Sequence, residues 1–183
     1  NRSGAGGTLG GAQVAKSAPD GHTLLMGSGS SLVLGPAFFP GAYVATRDFA
    51  PVTQLSAAAY MLLVTPSLPA KSLRDFVAHA KANAGKLTYA SAGSGTGSHL
   101  STVLFLSMAG IDLVHVPYKG GAPGMTDLIA NQVQMMFNGI PSSLPHISSG
   151  RIRALAVSSP ARVAVAPDLP TFAESGISGA EAT

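Results

Sequence analysis

Ser91, Gly93, Ser94, Gly95, Thr96, Gly97 and Ser98 crowd glycines and hydroxyls into one short run, inside the stretch LTYASAGSGTGSHLSTVLFLSMAG that covers Leu87–Gly110. None of these side chains is an acid, a base or a metal ligand of the usual kind, so the chemistry they suit is recognition. The glycines allow positive φ and let another molecule approach the backbone closely. Leu87–Ser91 reads as a strand and about Ser98–Ala109 as a helix, with Thr96 or Ser98 as N-cap and Gly110 at the C′ position. A Gly-rich loop that opens a helix aims unpaired N–H groups and the positive end of the helix dipole at one spot. That spot suits a phosphate or a carboxylate. A tight βα turn alone needs fewer glycines and hydroxyls than this.

Other chemistries lack their residues. The run has two glycines of G-x-G-x-x-G, but Ser98 stands where the third belongs, and Asp112 precedes its strand rather than ending it. There is no P-loop, no G-x-S-x-G nucleophile elbow and no H-E-x-x-H. The five histidines are scattered, so no metal site is expected, and His115 and His146 read as structural. Met108, Met135 and Met136 read as core packing. With no cysteine in the sequence, disulfides and thiolate chemistry are excluded. The 183 residues are 46% hydrophobic and 10% charged, with a net charge of +3 and no basic run. Nucleic-acid binding, which needs clustered cations, therefore has little support. No apolar run reaches the length of a membrane span. The opening NRSGAGG is not a signal peptide, and the start and the ending at GAEAT both read as cut from something longer.

The loop depends on its neighbours along the chain for its position. Residues 4–18 form an Ala- and Gly-rich helix, and Pro19–Gly21 a turn. Thr23–Met26 reads as a buried strand, followed by a second Gly/Ser loop, Gly27–Ser31, that could also open a helix. Residues 35–51 read as irregular, and Val52–Leu55 and Tyr60–Thr65 as strands. Pro66–Pro69 marks a domain boundary. Ser72 and Asp75 form a capping box, Leu73, Phe76, Val77 and Ala80 line one helical face, and Gly85 ends that helix. After the Leu87–Gly110 unit come strand Leu113–Pro117, a helix from Pro123 to Ala130, strand Val133–Phe137, helix Pro141–Ser149 and strand Ile152–Ser158. This alternation predicts a parallel α/β sheet with right-handed crossovers. Ligands of such sheets bind beyond the carboxyl ends of the strands. The loops there are Ser91–Ser98, Tyr118–Gly121, Asn138–Ser142 and Ser158–Ala161. They hold hydroxyls, amides and the cation Lys119, with no carboxylate and no histidine unless His99 turns back.

Six blocks then carry a resemblance: PDGHTLLMGSGS, RDFAPVTQL, LTYASAGSGTGSHLSTVLFLSMAG, LVHVPYKGGAPGMTDLIANQVQMMF, IPSSLPHISSGRIRALAVSS and LPTFAESGISG. Together, over essentially the whole chain, they resemble the Bug family of periplasmic solute-binding proteins, receptors of tripartite tricarboxylate transporters. The resemblance implies a two-domain, periplasmic-binding-protein-like α/β fold with parallel-type sheets, here truncated at both ends. It implies a partial first domain at 1–66, a second at 67–170 and the start of a return at 171–183. It implies a receptor in the periplasm that closes over an amino acid, a di- or tricarboxylate or an aromatic acid, without catalysis, cofactor or metal, and hands it to membrane transporter subunits. Carried over by residue, Ser91–His99 resembles the second-domain ligand loop, with Ser91, Gly93, Ser94, Gly95, Thr96, Gly97 and Ser98 as binding residues. Gly27, Ser28, Gly29 and Ser30 resemble the first-domain loop facing it, and Asn138 stands at a strand end where the family places a polar residue. The chain departs from the family at Asn138-Gly139, where Asp-Asn is commoner, and at Val103, where Glu is common. On the same resemblance, the family's first strand with its Pro/Gly-rich loop, and the segment beyond the hinge return, are missing. The residues alone leave open a nucleotide-binding α/β enzyme, or a sensor or scaffold on the same fold.

Overall fold

The structure is a computed structural model that describes residues 7–57 and 59–181. Its centre is one five-stranded sheet in the order β3-β2-β4-β1-β5, made of β1 (Tyr60–Val64), β2 (Thr88–Ser91), β3 (Val114–Pro117), β4 (Met135–Gly139) and β5 (Arg153–Val157). Alternation along the strands builds two cores, because successive side chains point to opposite faces. Leu62, Val64, Tyr89, Met135 and Phe137 face the helices α4 (Leu73–Ala82) and α5 (Gly97–Ala109). Met61, Leu63, Ala90 and Met136 face α6 (Gly121–Ile129) and α7 (Ile140–Ser148).

The expected parallel sheet is corrected at one strand. β2 is parallel to β3 and β4, but β1 is antiparallel to both β4 and β5, with Tyr60 opposite Gly139. β1 is followed by no crossover back to a neighbouring parallel partner; its next element, α4, leads to β2, two places away. β1 also lies inside this sheet although it precedes Pro66.

Local signals account for the helices. The capping box at α4 is present in both directions: Asp75 N–H donates to Ser72 Oγ at 3.1 Å, and Ser72 N–H donates to Asp75 Oδ2 at 3.1 Å. Gly110 closes α5 at φ 61°, ψ 46°, the left-handed cap position. α6 starts at Gly121, two residues before the expected Pro123. Inside the first core, Phe105 of α5 packs on Phe76, Phe137 and Phe172, with ring centroids 5.3–6.4 Å apart.

Residues 7–57 form a smaller cluster: α1 (Thr8–Ala15), a π-helical turn Ser30–Leu34 that runs on into α2 (Gly35–Phe38), and α3 (Ala45–Asp48). Tyr43 holds it together. Its hydroxyl donates to Ser31 O, its ring meets Phe49 edge-on at 5.2 Å, and it lies so close to Gly11 that a Cβ there would clash. The strands expected at Thr23–Met26 and Val52–Leu55 are absent. Leu24, Met26, Val52 and Leu55 are 74–86% exposed, since a buried-strand pattern yields a strand only where a neighbouring strand supplies the ladder, and no described residue does so here.

Phe105→Ala should cost about 3–5 kcal/mol by denaturant midpoint, as the loss of a fully buried aromatic. Val103→Ala, on the outer face of the same helix, should stay within about 0.5 kcal/mol. Equal costs at the two positions would contradict this assignment of the helix faces.

Candidate functional site

The Ser91–Ser98 loop is braced from within. Thr96 Oγ1–H donates to Gly93 O at 2.6 Å, and Ser98 Oγ accepts from Ala92 N–H at 3.1 Å and lies 3.2 Å from Thr96 Oγ1. Ser91 is buried, and its Oγ accepts from Gly93 N–H at 3.2 Å and shares a 2.7 Å hydrogen bond with His115 Nε2. Gly93 and Gly95 take φ 128° and 77°, conformations that glycine alone adopts without strain. A Cβ on Gly93 would also press on Tyr118 O at 3.2 Å. Ser94 is exposed.

With these hydroxyls turned inward, the start of α5 is left open. Thr96 is the N-cap residue but makes no side-chain cap, and Ser98 lies inside the helix. The first amide of the helix to bond within it is Leu100, to Thr96 O at 3.0 Å. The N–H groups of Gly97, Ser98 and His99 have no partner among the described residues.

The second loop has the same construction. Ser28 and Ser31 brace each other, Ser28 N–H to Ser31 Oγ at 2.9 Å and Ser31 N–H to Ser28 Oγ at 3.2 Å, and Leu32 N–H donates to Ser28 O at 2.8 Å. That leaves the N–H groups of Gly29 and Ser30 without a partner among the described residues. Gly27 is fitted against Leu32 with no room for a Cβ. The two loops meet at Gly97: a Cβ built there would lie 3.1 Å from Ser30 Oγ and would collide with the Tyr60 hydroxyl. Two helix starts, each with open donors, therefore come together at Gly97 and Ser30. An anion between them would meet N–H groups from both sides.

Asn138 has other neighbours. Its Nδ2 donates to Ser142 Oγ at 3.0 Å and Ser143 Oγ at 3.2 Å, and it borders a cavity of about 450 Å³ between α6 and α7 that Gly121, Met125, Ile129, His146 and Arg151 also line. Tyr118 donates to Asp127 Oδ2 at 2.6 Å, and burial together with that carboxylate pushes the phenol up to about 12.

Sequence reasoning missed two residues here, Tyr60 and His115. Tyr60 reaches the meeting point because antiparallel β1 begins where the parallel strands end. His99 does turn back, and its Nδ1 accepts from Gly95 N–H at 3.2 Å. His115 props Ser91 and forms the middle of a ring stack, 4.2 Å from His99 and 4.8 Å from Tyr89. The signal was available at His115: it lies two residues before Pro117, the strand partner of Ser91, and so on the same face of the sheet. Among the described residues no three His, Cys, Asp or Glu side chains gather as a metal site, and no helix is long and apolar enough to cross a membrane.

Residues 1–183 match the model of the tripartite tricarboxylate transporter family receptor. The chain belongs to that family. It is 39% identical, over 99% of its length, to a protein from the tcbD–tcbE intergenic region of a Pseudomonas species, and 38% identical, over 96%, to BugT of Bordetella pertussis. It spans about half the length of these curated relatives, 54% and 55%. Among solved structures it superposes on a periplasmic transporter with a TM-score of 0.94 at 38% identity, covering 100% of this chain and 61% of that one. It superposes on an adipate-bound protein of R. palustris with a TM-score of 0.91 at 36% identity, with the same coverages. For MatC of Rhodopseudomonas palustris with bound malate the TM-score is 0.89 at 34% identity, over 98% of this chain and 61% of that one. The expected solute-binding α/β fold is thus confirmed, and the family is one of receptors, which sets the enzyme alternative aside.

The histidines give the loop a dependence on pH. Burial holds both His99 and His115 below the ordinary 6.5, and His99 lowers His115 further. The unfolded chain therefore takes up protons first on acidification. The stability these neutral rings contribute is full above about pH 6.5 and declines as the pH falls through their lower folded values. The melting temperature should drop from pH 7.5 to pH 5, and His99→Asn, whose Oδ1 can take over the Nδ1 acceptor role, should reduce that drop. Identical profiles for the two proteins would show that His99 carries none of it.

Proposed function

We propose that this chain forms the carboxylate-gripping part of an extracytoplasmic solute receptor. It holds a small carboxylate between the loops Ser91–Ser98 and Gly27–Ser31 and does no chemistry on it. The observation that carries this is the approach of two helix starts at Gly97 and Ser30, with N–H groups on both that have no partner among the described residues. A hydrogen bond from such a donor to a charged acceptor is worth about 1.5–3 kcal/mol, so the five open donors give about 8–15 kcal/mol before the association cost of about 4–15 kcal/mol. Micromolar binding, about 8 kcal/mol net, therefore needs both loops and further contacts. Closure of the two loops over the ligand would exclude water and strengthen each of these hydrogen bonds.

Adipate and malate, seen in two solved relatives, are the natural first ligands to try. In this reading residues 1–66 supply one wall, 67–170 the other and 171–183 begin the return, with β1 tying the first wall's chain into the second wall's sheet. Asn138, at the neighbouring strand end, meets the part of the ligand away from the carboxylate. The receptor works in the periplasm and delivers its ligand to the membrane subunits of a tripartite tricarboxylate transporter, as the family's description supports.

Calorimetry of the full-length protein against malate, adipate, glutamate and benzoate should find binding by at least one, and mass spectrometry should return that ligand unchanged. Turnover, or no binding by any of the four, would refute the reading. Gly97→Val should weaken the best ligand at least tenfold, since the new side chain meets Tyr60 and Ser30 where the loops must close. Full affinity in that variant would place the ligand elsewhere.

A further inference from the structure

Tyr60 occupies a position that the loops alone do not explain. Its backbone is pinned to the edge of the sheet where the parallel strands end: it pairs with Gly139, its N–H donates to Ser158 Oγ at 2.9 Å, and its carbonyl accepts from Ser158 N–H at 2.9 Å. Its ring packs against the first core, so the side chain is anchored at its base by apolar contact. The hydroxyl at the far end lies against Gly97, at the point where Ser30 Oγ also arrives. It has no hydrogen-bond partner among the described residues. Burial raises this phenol above the ordinary 10.0, so it stays protonated and is a neutral donor throughout the physiological range. The phenol oxygen therefore stands beside Gly97 and Ser30, where two helix starts with N–H groups unpartnered among the described residues come together, and its O–H is free to donate to an acceptor placed there.

We propose that Tyr60 is a ligand-contacting residue whose O–H donates to the carboxylate held between the two loops. This rests on the receptor reading and adds to it a side-chain contact from the sheet itself. The chemistry fits: a carboxylate has two oxygens with about four acceptor sites, enough to take a phenol O–H beside backbone N–H groups from both loops. The contribution differs in kind from theirs. The amides belong to loops, whereas Tyr60 stands on a central strand bonded on both sides. It therefore fixes where the carboxylate sits before the second wall arrives, and the neutral O–H favours the ionised acid over its uncharged amide or ester. The same room that Tyr60 fills is the room a side chain at 97 would need, which ties the glycine at that position to the phenol over it.

The test is Tyr60→Phe in the full-length protein, which keeps the ring in its packing and removes one oxygen. Calorimetry against malate, adipate, glutamate and benzoate should show the affinity of whichever ligands bind wild type reduced about tenfold or more, with the melting temperature of the unliganded variant unchanged. A second readout separates contact from mere shape: with 3-fluorotyrosine in place of tyrosine, the ¹⁹F resonance lost in the Tyr60→Phe variant should shift when the ligand is added to the otherwise unaltered protein. Wild-type affinity in Tyr60→Phe, or a position-60 resonance unmoved by saturating ligand, overturns this proposal while leaving the receptor reading standing. If none of the four carboxylates binds wild type, the receptor reading fails and this contact fails with it.

Discussion

The start of α5 is the constraint around which the rest of the structure is arranged. Every helix begins with N–H groups that the helix itself cannot satisfy. At α4 the chain answers with Ser72 and Asp75, which close the end reciprocally. At α5 it does not. Thr96 and Ser98, both able to cap, are turned to Gly93 and Ala92 instead, and the amides of Gly97, Ser98 and His99 have no partner among the described residues. Leaving a buried donor without a partner costs about 1–3 kcal/mol; Gly97 and His99 are only half-buried, so water can meet these donors until a ligand acceptor replaces it. The bracing by Ser91, His99 and His115 acts on the loop behind that opening and keeps its shape without occupying its donors.

The single antiparallel strand has consequences beyond topology. In a wholly parallel sheet the first residue of a central strand lies at the amino edge, far from the ligand side. Running β1 the other way brings Tyr60 and the chain that precedes it to the carboxyl edge, beside Gly139 and Ser158. The N-terminal cluster, with Ser28 and Ser31 bracing its own open helix start, is thereby delivered to Gly97. Anchoring and apposition come from the same strand.

Much of the frame was legible in the residues. The capping box, the Gly110 stop, the Gly/Ser/Thr loop and the four parallel strands all arise from local signals that tertiary structure left alone. Strand direction was not legible: YMLLV has the same pattern read either way, and only the partners at Met135–Gly139 and Arg153–Val157 decide it. The apolar runs at Thr23–Met26 and Val52–Leu55 look like strands because burial and β-propensity are read together, while pairing depends on a neighbour that no window contains. At the site, the glycine and serine positions of both loops could be named from composition and family likeness. The direction in which each hydroxyl points could not, and neither could the histidine stack, since Tyr89, His99 and His115 come from three elements.

The central claim is that a ligand carboxylate lies between two open helix starts. A crystal structure of the full-length protein with its tightest carboxylate bound tests this most directly. Carboxylate oxygens should then lie within about 3 Å of backbone nitrogens from both Gly97–His99 and Gly29–Ser30. A carboxylate bound away from both sets of amides, with the start of α5 facing only water, would contradict it.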